Sequence, residues 1–344
     1  MHLLRIAAVL PHLEVFGGIR RYLMLARVWG SWGHEVTLWT PGGEPPRWLD
    51  TPARVRHLGE DPGPEPWDVV FTPQPALLDA ARALPATRRV YYCVLEDERG
   101  ESRALAASDF ALMANSGPLR ARLARRSRRP VLDGIGGIDP DFFHPYAEAR
   151  DTGRLTVMAY GRRSRPKKGT DLIVRAVERV APRFPSLELA LFDHIGPGNE
   201  RDPREGFAPR VPFRFTINPG QDELARRAAR ADVFVAAERK AGWCNTAIEA
   251  MSAGVAVVCT PSGTRDFARH GETAWVVPIR HSFFLARGLA RVLSDPALRA
   301  RLQAAGPGAV RPYAWPILAG KILDQLGLGE GVPAGARTPR AAAM

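Results

Sequence analysis

Short apolar runs alternate with amphipathic stretches from the start of the chain. Ile19–Trp32 places apolar side chains at helical spacing, and five runs of strand-like length flank that segment. The runs are Leu3–Leu10, Glu35–Thr40, Asp68–Thr72, Val90–Leu95 and Phe110–Asn115. This alternation predicts an α/β fold with a doubly wound parallel sheet.

The same pattern starts again after a polar stretch, Tyr146–Gly153. Strands are predicted over 155–160, 187–192, 213–217, 233–236 and 255–259, and helices over 171–183, 223–230, 245–253, 283–293 and 297–304. Two similar units in succession predict two Rossmann-like domains that face a cleft, residues 1–147 and 148–326. The last helix, 312–326, is expected to pack back on the first domain. Residues 327–344 are rich in Gly, Ala and Pro and are expected to be disordered.

Composition excludes several classes of protein. The chain of 344 residues has no run of about 18 apolar residues, so no membrane-spanning helix is expected. The apolar run near the N-terminus is interpreted as a strand and not as a signal peptide. The three cysteines, Cys93, Cys244 and Cys259, form no CxxC pair, which argues against a disulfide framework and a structural zinc site. A cytoplasmic location is the simplest inference.

Charge is distributed unevenly along the chain. Residues 1–145 hold 18 arginines against 17 acidic side chains, so almost all of the net charge of +12 falls on the remainder. The second half therefore favours an anionic partner. Nucleic acid is a poor fit because no basic module studded with aromatic residues is present. A basic stretch in the first half is either a solvated helix face or a contact with anionic lipid; it contains Arg120, Arg122, Arg125, Arg126, Arg128 and Arg129.

Three segments carry candidate chemistry, and the first is the glycine pair Gly17-Gly18. The pair lies between the first strand and the first helix, where the backbone can approach a ligand and the helix N-terminus favours a phosphate. A plain strand-to-helix turn is the alternative. His12, in the same loop, is a candidate substrate contact.

The second segment, Tyr160–Gly169, follows a predicted strand and contains five cations in seven residues. The carboxyl end of a strand is where ligands bind in open α/β sheets. Fixed cations there are suited to holding a diphosphate through charge-assisted hydrogen bonds. A solvated basic loop is the alternative for any one of Arg162, Arg163, Arg165, Lys167 and Lys168.

The third segment runs from Ala241 to Thr260. Asn245 is predicted as a helix N-cap, so that Thr246 and Ala247 present backbone N–H groups to an anion. Glu249 follows one helical turn later, where a carboxylate can accept two hydrogen bonds from a ribose diol. An ordinary solvated helix residue is the alternative for Glu249.

Five blocks in the right order resemble retaining glycosyltransferase family 4, of GT-B fold. They are the Gly17-Gly18 loop with GHEVTLWT, the Ala114-Asn115-Ser116 strand end, GIDPDFFHP, GR…KKGTDLIVRA, and AGWCNTAIEAMSAG with its continuation. Together they cover the chain to about residue 326. The resemblance implies transfer of a sugar from a nucleotide-diphosphate donor to a hydroxyl group of a glycan, polysaccharide, lipid-linked or natural-product acceptor. It implies no metal and no further cofactor.

The resemblance also implies roles for individual residues. Arg162 and Lys168 would hold the donor diphosphate and assist catalysis, with Lys167 as a substitute because the loop is one residue longer than usual. Glu249 would bind the nucleotide ribose. Gly17 and Gly18 would lie under donor and acceptor.

The sequence departs from the family pattern in two places. The first Glu of the Glu–seven residues–Glu pair falls on Ala241, and the nearest carboxylate is Glu238. The histidine that the family often has after a first-domain strand is absent, and Glu96 or Asp97 occupies that region. An acidic helix N-terminus is the alternative for those two. Glu238, Glu96 and Asp97 are therefore candidate sugar or acceptor contacts.

Two rival functions remain open from the sequence. One is a nucleotide-sugar hydrolase or epimerase on the same fold, for which no convincing set of acid and base residues can be placed. The other is a catalytically impaired binding subunit, suggested by Ala241.

Asp139 and Asp141 resemble a metal-binding DxD motif, but the Pro between them favours a turn.

Overall fold

Parallel strands form two sheets in a computed structural model that describes residues 2–95, 99–146, 153–197 and 199–333. Most strands are the short apolar runs of the sequence, because a strand covered on both faces is apolar throughout. In chain order the strands are β1 Arg5–Val9, β2 Glu35–Thr40, β3 Arg54–His57, β4 Val69–Thr72, β5 Arg89–Cys93, β6 Ala111–Ala114, β7 Val131–Asp133, β8 Leu155–Tyr160, β9 Leu187–Asp193, β10 Phe213–Ile217, β11 Val233–Ala236, β12 Ala256–Cys259 and β13 Trp275–Val276.

The helices connect successive strands and cover the sheets. In chain order they are α1 Gly17–Ser31, α2 Leu78–Ala83, α3 Glu101–Ala106, α4 Gly117–Ser127, α5 Thr170–Val180, α6 Gln221–Arg230, α7 Asn245–Ser252, α8 Ser282–Ser294, α9 Pro296–Val310 and α10 Trp315–Gln325. None of the helices in the described ranges is long and apolar enough to cross a bilayer.

The chain divides into two units, residues 1–137 with 313–344, and residues 138–312. The boundary falls ten residues before the position expected from the polar stretch. The segment that precedes the expected boundary packs on the second unit: Phe143 is buried, and its carbonyl accepts a hydrogen bond from Ser252 Oγ at 2.5 Å. Pro145 lies against Gly254 in the same unit.

The first unit is built on a seven-stranded sheet of order β3-β2-β1-β4-β5-β6-β7, with every pair parallel. Strand order reverses beside β1, so the loops after β1 and β4 lie at a topological switch point. The last helix, α10, belongs to this unit: Trp315 and Ile322 are buried in one core cluster with Leu23 of α1.

The second unit is built on a six-stranded sheet of order β10-β9-β8-β11-β12-β13, again with every pair parallel. The carboxyl ends of β9, β8, β11 and β12 are therefore neighbours along one edge. Helices α5 and α8 pack side by side on this sheet, with Ile173, Val177, Leu285 and Leu289 in the shared core. The two α/β units confirm the predicted fold class.

Three strands escaped prediction because each is short or polar. Strand β3 has a polar sequence, RVRH, and lies at a sheet edge, where it pairs with a neighbouring strand on one side only. Strands β7 and β13 span only three and two residues and also end their sheets. Helix α9 runs past its predicted end at residue 304, through Pro307.

The expectation of disorder from residue 327 is wrong for residues 327–333. Leu328 and Val332 are buried in the core of the first unit, and His34 Nε2 lies 2.8 Å from the carbonyl oxygen of Gly331. Two apolar side chains and a buried backbone contact therefore anchor this segment. Residues 334–344 lie outside the described ranges.

Candidate functional site

Arg162 lies directly after β8 with its side chain in a buried setting. The residue is 7% exposed, and its Nη1 donates to Tyr160 Oη at 3.2 Å. Gly161 allows this turn to pack closely, because a Cβ atom there would meet the ring of Phe215 at 2.4 Å. The guanidinium is thus positioned by the fold and is not a solvated loop charge.

A buried carboxyl group continues the network around Arg162. Asp193 is the last residue of β9, and its Oδ1 accepts from the backbone N–H of His194 at 2.7 Å. Burial raises the pKa of Asp193, and the charge of Arg162 opposes that shift. Burial also lowers the pKa of His194, so the half-buried imidazole favours its neutral form.

Lys168 forms an ion pair at the end of the basic loop. Its Nζ lies 2.8 Å from Glu238 Oε1 and 5.5 Å from the centroid of the Tyr160 ring. Gly169 follows with φ of +79°, and a Cβ atom there would meet the carbonyl oxygen of Ala237 at 2.3 Å. The loop therefore docks on the residues that follow β11, and this docking brings Lys168 to Glu238.

Lys167 behaves differently from its neighbour. Partial burial and the charge of Lys168 lower the pKa of Lys167, and its backbone carbonyl accepts from the N–H of Arg239 at 2.9 Å. Arg163 is also structural, because its Nη1 donates to two carbonyls of residues 203 and 205 at 2.9 Å each. The five cations of the loop are thus not equivalent.

Arg280 belongs to this site, although no motif in the sequence singles it out. Its Nε donates to the carbonyl of Ala237 at 2.6 Å, and its Nη2 donates to the carbonyl of Pro166 at 2.8 Å. One guanidinium therefore joins the loop that carries Lys168 to the segment that carries Glu238. The partners lie 43 and 114 positions away in sequence, so no local motif signals them.

The N-terminus of α7 adjoins the same ion pair. Asn245 was predicted as the N-cap, but Cys244 occupies that position with no side-chain cap, and Asn245 is the first helical residue. The Cys244 sulfur lies 3.6 Å from Glu238 Oε1 and 3.7 Å from Thr246 Oγ1. Burial raises the pKa of the Cys244 thiol well above its usual range.

Glu249 lies one turn further along α7 and is 7% exposed, so it is not an ordinary solvated helix residue. Ala241, which stands where the family has a glutamate, is closely packed. Its N–H donates to Ser262 Oγ at 2.9 Å, and a Cβ atom on Gly263 would meet Ala241 Cβ at 2.9 Å. Position 263 is therefore restricted to glycine, and Ala241 is one of the groups that closely adjoin it.

The remaining candidates belong to the first unit. Gly17 begins α1, and a Cβ atom on Gly18 would meet Val94 at 3.3 Å, so helix and strand approach closely there. The His12 ring is tilted against the Phe16 ring with centroids 4.9 Å apart, and burial lowers the pKa of His12. Glu96 and Asp97 lie outside the described residues.

Most of the basic stretch on α4 serves the fold. Arg122 and Arg126 both pair with buried Glu101, and Arg129 Nη1 donates to the Ala107 carbonyl at 2.8 Å. Arg120 Nε donates to a backbone carbonyl of β7 at 2.8 Å. These contacts leave little of the stretch for a membrane.

The Asp139–Asp141 motif and the ring of Trp243 both have structural roles. Asp139 Oδ1 accepts from the backbone N–H groups of Asp141 and Phe142 at 3.2 and 3.0 Å, so the DxD pattern forms a turn. Trp243 is 8% exposed and packs on Phe267 with ring centroids 5.1 Å apart.

Comparison with known proteins agrees with this geometry. Residues 154–295 match the family described as Glycosyl transferases group 1. A phosphatidyl-myo-inositol mannosyltransferase of Mycobacterium tuberculosis is 32% identical over 216 residues, which cover 58% of this chain. The match spans 56% of that relative, little more than half its length.

Two solved structures share the fold. A glycosyltransferase of Rickettsia africae has a TM-score of 0.77 at 16% identity and covers 97% of this chain and 100% of its own. Anabaena HepE in complex with UDP has a TM-score of 0.71 at 14% identity, covering 94% and 99%. These findings confirm the resemblance identified from the sequence: the chain has the GT-B fold and is similar to glycosyltransferase family 4.

Proposed function

We propose that the protein is a retaining glycosyltransferase that moves a sugar from a nucleotide-diphosphate donor to a hydroxyl group of a glycan, lipid-linked or natural-product acceptor. The observation that carries the proposal is the convergence of Arg162, Lys168 and the N-terminus of α7 beside the carboxyl ends of β8 and β11. This edge of the sheet is where open α/β proteins bind ligands.

The two cations suit the chemistry of sugar transfer. The bond between the anomeric carbon and the diphosphate oxygen breaks, and its electron pair stays on the leaving oxygen. Arg162 and Lys168 stabilise the charge that develops there, together with the positive end of the α7 dipole. The acceptor oxygen forms the new bond on the same face of the sugar, and its proton passes to the departing phosphate. With charge compensation from these groups, the proposal requires no metal and no cofactor.

Glu249 and Glu238 take separate parts in the proposal. Glu249, buried one turn inside α7, would accept hydrogen bonds from the donor ribose. Glu238 would hold Lys168 in place and lie near the transferred sugar, where Ala241 offers no carboxylate. In the first unit, Gly17, Gly18 and His12 would line the acceptor side.

The names of two similar proteins guide the choice of donor and acceptor in this proposal. HepE is described with UDP, and the mycobacterial relative is named for the transfer of mannose to phosphatidyl-myo-inositol. We therefore propose a nucleotide-hexose donor and, among acceptors, give first place to a lipid-linked polyol or glycan. The proposal includes a cytoplasmic location and peripheral contact with anionic lipid. The three cysteines are buried free thiols, which suits a reducing compartment.

The second candidate is a binding subunit without transfer activity, favoured by Ala241. Ala241 leaves this position without the carboxylate that the family pattern places there. Such a subunit would bind a nucleotide and turn over no donor.

A nucleotide screen followed by a turnover assay tests both candidates. UDP, GDP, ADP, CDP and dTDP are compared by thermal shift, and the matching nucleotide at about 100 Kd should add roughly 2.7 kcal/mol to the stability. Donor consumption is then measured with and without acceptor. Acceptor-dependent release of nucleotide supports the transferase, release without acceptor indicates a hydrolase, and binding without release indicates the subunit. Failure of every nucleotide to stabilise the protein contradicts the proposal.

A further inference from the structure

A strongly basic surface lies on the second unit, formed by exposed side chains of α5 and α8. Along α5 and the turn after it, exposed arginines recur every fourth residue, at Arg175, Arg179 and Arg183. Along α8 the exposed positions follow the same period, at Phe283, Arg287 and Arg291. Because the two helices pack side by side, the two rows form one face, called here the α5–α8 face.

An open groove runs between the two rows. Its volume is about 480 Å³, and its lining includes Arg179, Arg183, Arg287, Arg291 and Phe283. A second groove of about 290 Å³ shares Arg287 and Arg291 with the first. Four guanidinium groups around one groove create a field that attracts anions.

The charges of this groove are mostly not neutralised within the protein. Arg291 has an ion pair, 3.1 Å from Asp295. For Arg179, Arg183 and Arg287, no carboxylate within 4.0 Å is found in the described part of the chain. This contrasts with α4, where Arg122 and Arg126 share buried Glu101.

An exposed apolar side chain accompanies these arginines. Phe283 is 41% exposed, and the guanidinium carbons of Arg179 and Arg287 each lie 5.9 Å from its ring centroid. Exposed large apolar groups beside a concentrated charge mark an interaction surface.

We propose that the α5–α8 face docks on an anionic lipid bilayer. Guanidinium groups pair with lipid phosphates, while Phe283 enters the boundary between headgroups and acyl chains. A soluble phosphate would satisfy the arginines but leave the exposed part of Phe283 in water. Two parallel rows of charge match an extended surface better than one small anion. The inference deepens the proposed membrane contact, and its test requires no transfer activity, so the two can fail separately.

The test is cosedimentation of the full chain with vesicles of equal parts phosphatidylcholine and phosphatidylglycerol. We expect the protein to bind these vesicles and to bind weakly to vesicles of phosphatidylcholine alone. Binding to the anionic vesicles should fall as salt is added. Each arginine at a membrane surface contributes about 1 kcal/mol, so the double variant Arg179→Glu/Arg287→Glu should lose at least about tenfold in vesicle affinity. Phe283→Ala should reduce the binding that persists at high salt.

The matched control is Arg27→Glu/Arg47→Glu, which makes the same change in net charge with two exposed arginines of the first unit that lie outside the basic stretch at 120–129. It should retain most of the vesicle binding. Equal loss in both double variants, or loss only in the control, overturns the proposal. So does the absence of binding to anionic vesicles at low salt. Tighter binding to polyglutamate or to duplex DNA than to vesicles would reassign the face to an acidic protein or a nucleic acid. Thermal unfolding of each variant shows whether it is folded.

Discussion

The ammonium of Lys168 and the carboxylate of Glu238 lie 2.8 Å apart, although 70 positions separate them in sequence. Glu238 is buried and Lys168 is one-quarter exposed, so one charge is fixed by the protein while the other faces outward. A buried carboxylate that orients a partly exposed ammonium presents a positive charge in a defined place. That is the requirement for stabilising a leaving diphosphate.

Loss of either diphosphate cation should lower kcat. Arg162→Ala and Lys168→Ala remove charges that act on a group whose negative charge grows in the transition state. We expect each to reduce kcat by at least about tenfold, since about 1.4 kcal/mol corresponds to one decade. Initial rates at saturating donor measure the effect.

Lys167→Ala is the matched control, because Lys167 is adjacent in sequence but not paired with Glu238. Its effect should stay within about 0.5 kcal/mol of wild type. If Lys167→Ala lowers kcat more than Lys168→Ala does, then Lys167 and not Lys168 holds the diphosphate. If none of the three variants changes kcat, the leaving group is stabilised elsewhere.

Glu249→Gln should weaken binding of the nucleoside diphosphate. A carboxylate that accepts charge-assisted hydrogen bonds from a ribose diol contributes about 1.5–3 kcal/mol. The expected loss of affinity is therefore roughly 10- to 100-fold. Calorimetric titration of the preferred nucleotide measures it, and unchanged affinity would remove Glu249 from the ribose site.

Chelation should leave transfer intact. Arg162, Lys168 and the N-terminus of α7 supply the positive charge that a divalent ion would otherwise provide at a diphosphate. Activity after dialysis against EDTA is expected to match that before dialysis. Loss of activity that Mg²⁺ or Mn²⁺ restores would contradict this account of catalysis.

Acid should destabilise the first unit through His34. Its Nδ1 accepts from the Leu4 N–H at 3.3 Å, and Nε2 lies 2.8 Å from the Gly331 carbonyl oxygen, an arrangement that the neutral imidazole satisfies. Burial lowers the pKa of His34 below 6.5. Between the lowered value and 6.5 the unfolded chain binds more protons, so the free energy of unfolding falls as pH drops through that window.

The corresponding variant is His34→Gln, which should show a smaller loss of unfolding free energy on acidification than wild type. Urea unfolding on both sides of that window measures the difference. Equal losses in the two proteins would show that protonation of His34 does not cause the loss of stability in acid.

Much of the fold and part of the site follow from the sequence, for identifiable reasons. Strands β8 and β11 are buried on both faces. Their apolar runs therefore predicted both that these segments are strands and the residues at which they begin and end. Local composition marked the loop of Arg162 and Lys168 as a candidate anion site, and the family resemblance singled out these two of its five cations. Glu249 is buried, so the alternative of an ordinary solvated helix residue is wrong, while its role at the ribose stays a prediction.

Other features depend on tertiary contacts that no local pattern encodes. The arginines of α4 resembled a free basic face, but buried Glu101 and nearby carbonyls hold most of them. Cys244, and not Asn245, occupies the N-cap position of α7. A neighbouring loop sets this start of the helix, because the Cys244 N–H donates to the Gly263 carbonyl at 2.9 Å. The edge strand β3 is only partly buried and has the polar sequence RVRH, so an apolar pattern does not predict it.

Arg280 is the strongest case, and it leads to the last prediction. Its guanidinium donates to the carbonyls of Ala237 and Pro166, which precede Glu238 and Lys168 in their respective segments. Arg280→Ala removes both hydrogen bonds and lets the two segments separate. We expect kcat to fall about three- to tenfold, equivalent to roughly 0.6–1.4 kcal/mol, with a smaller change in the KM for donor, because Lys168 remains but is less well placed.

Arg280→Lys keeps the charge but lacks the planar fork that reaches two carbonyls, so it should fall between wild type and Arg280→Ala. Arg269→Ala, which removes an exposed arginine of the same unit, is the control and should match wild type. A purely structural role would lower the thermal stability of Arg280→Ala and leave kcat per folded molecule unchanged. That result would reject Arg280 as a positioning residue, whereas a kcat loss that Arg280→Lys partly restores at equal stability would establish it.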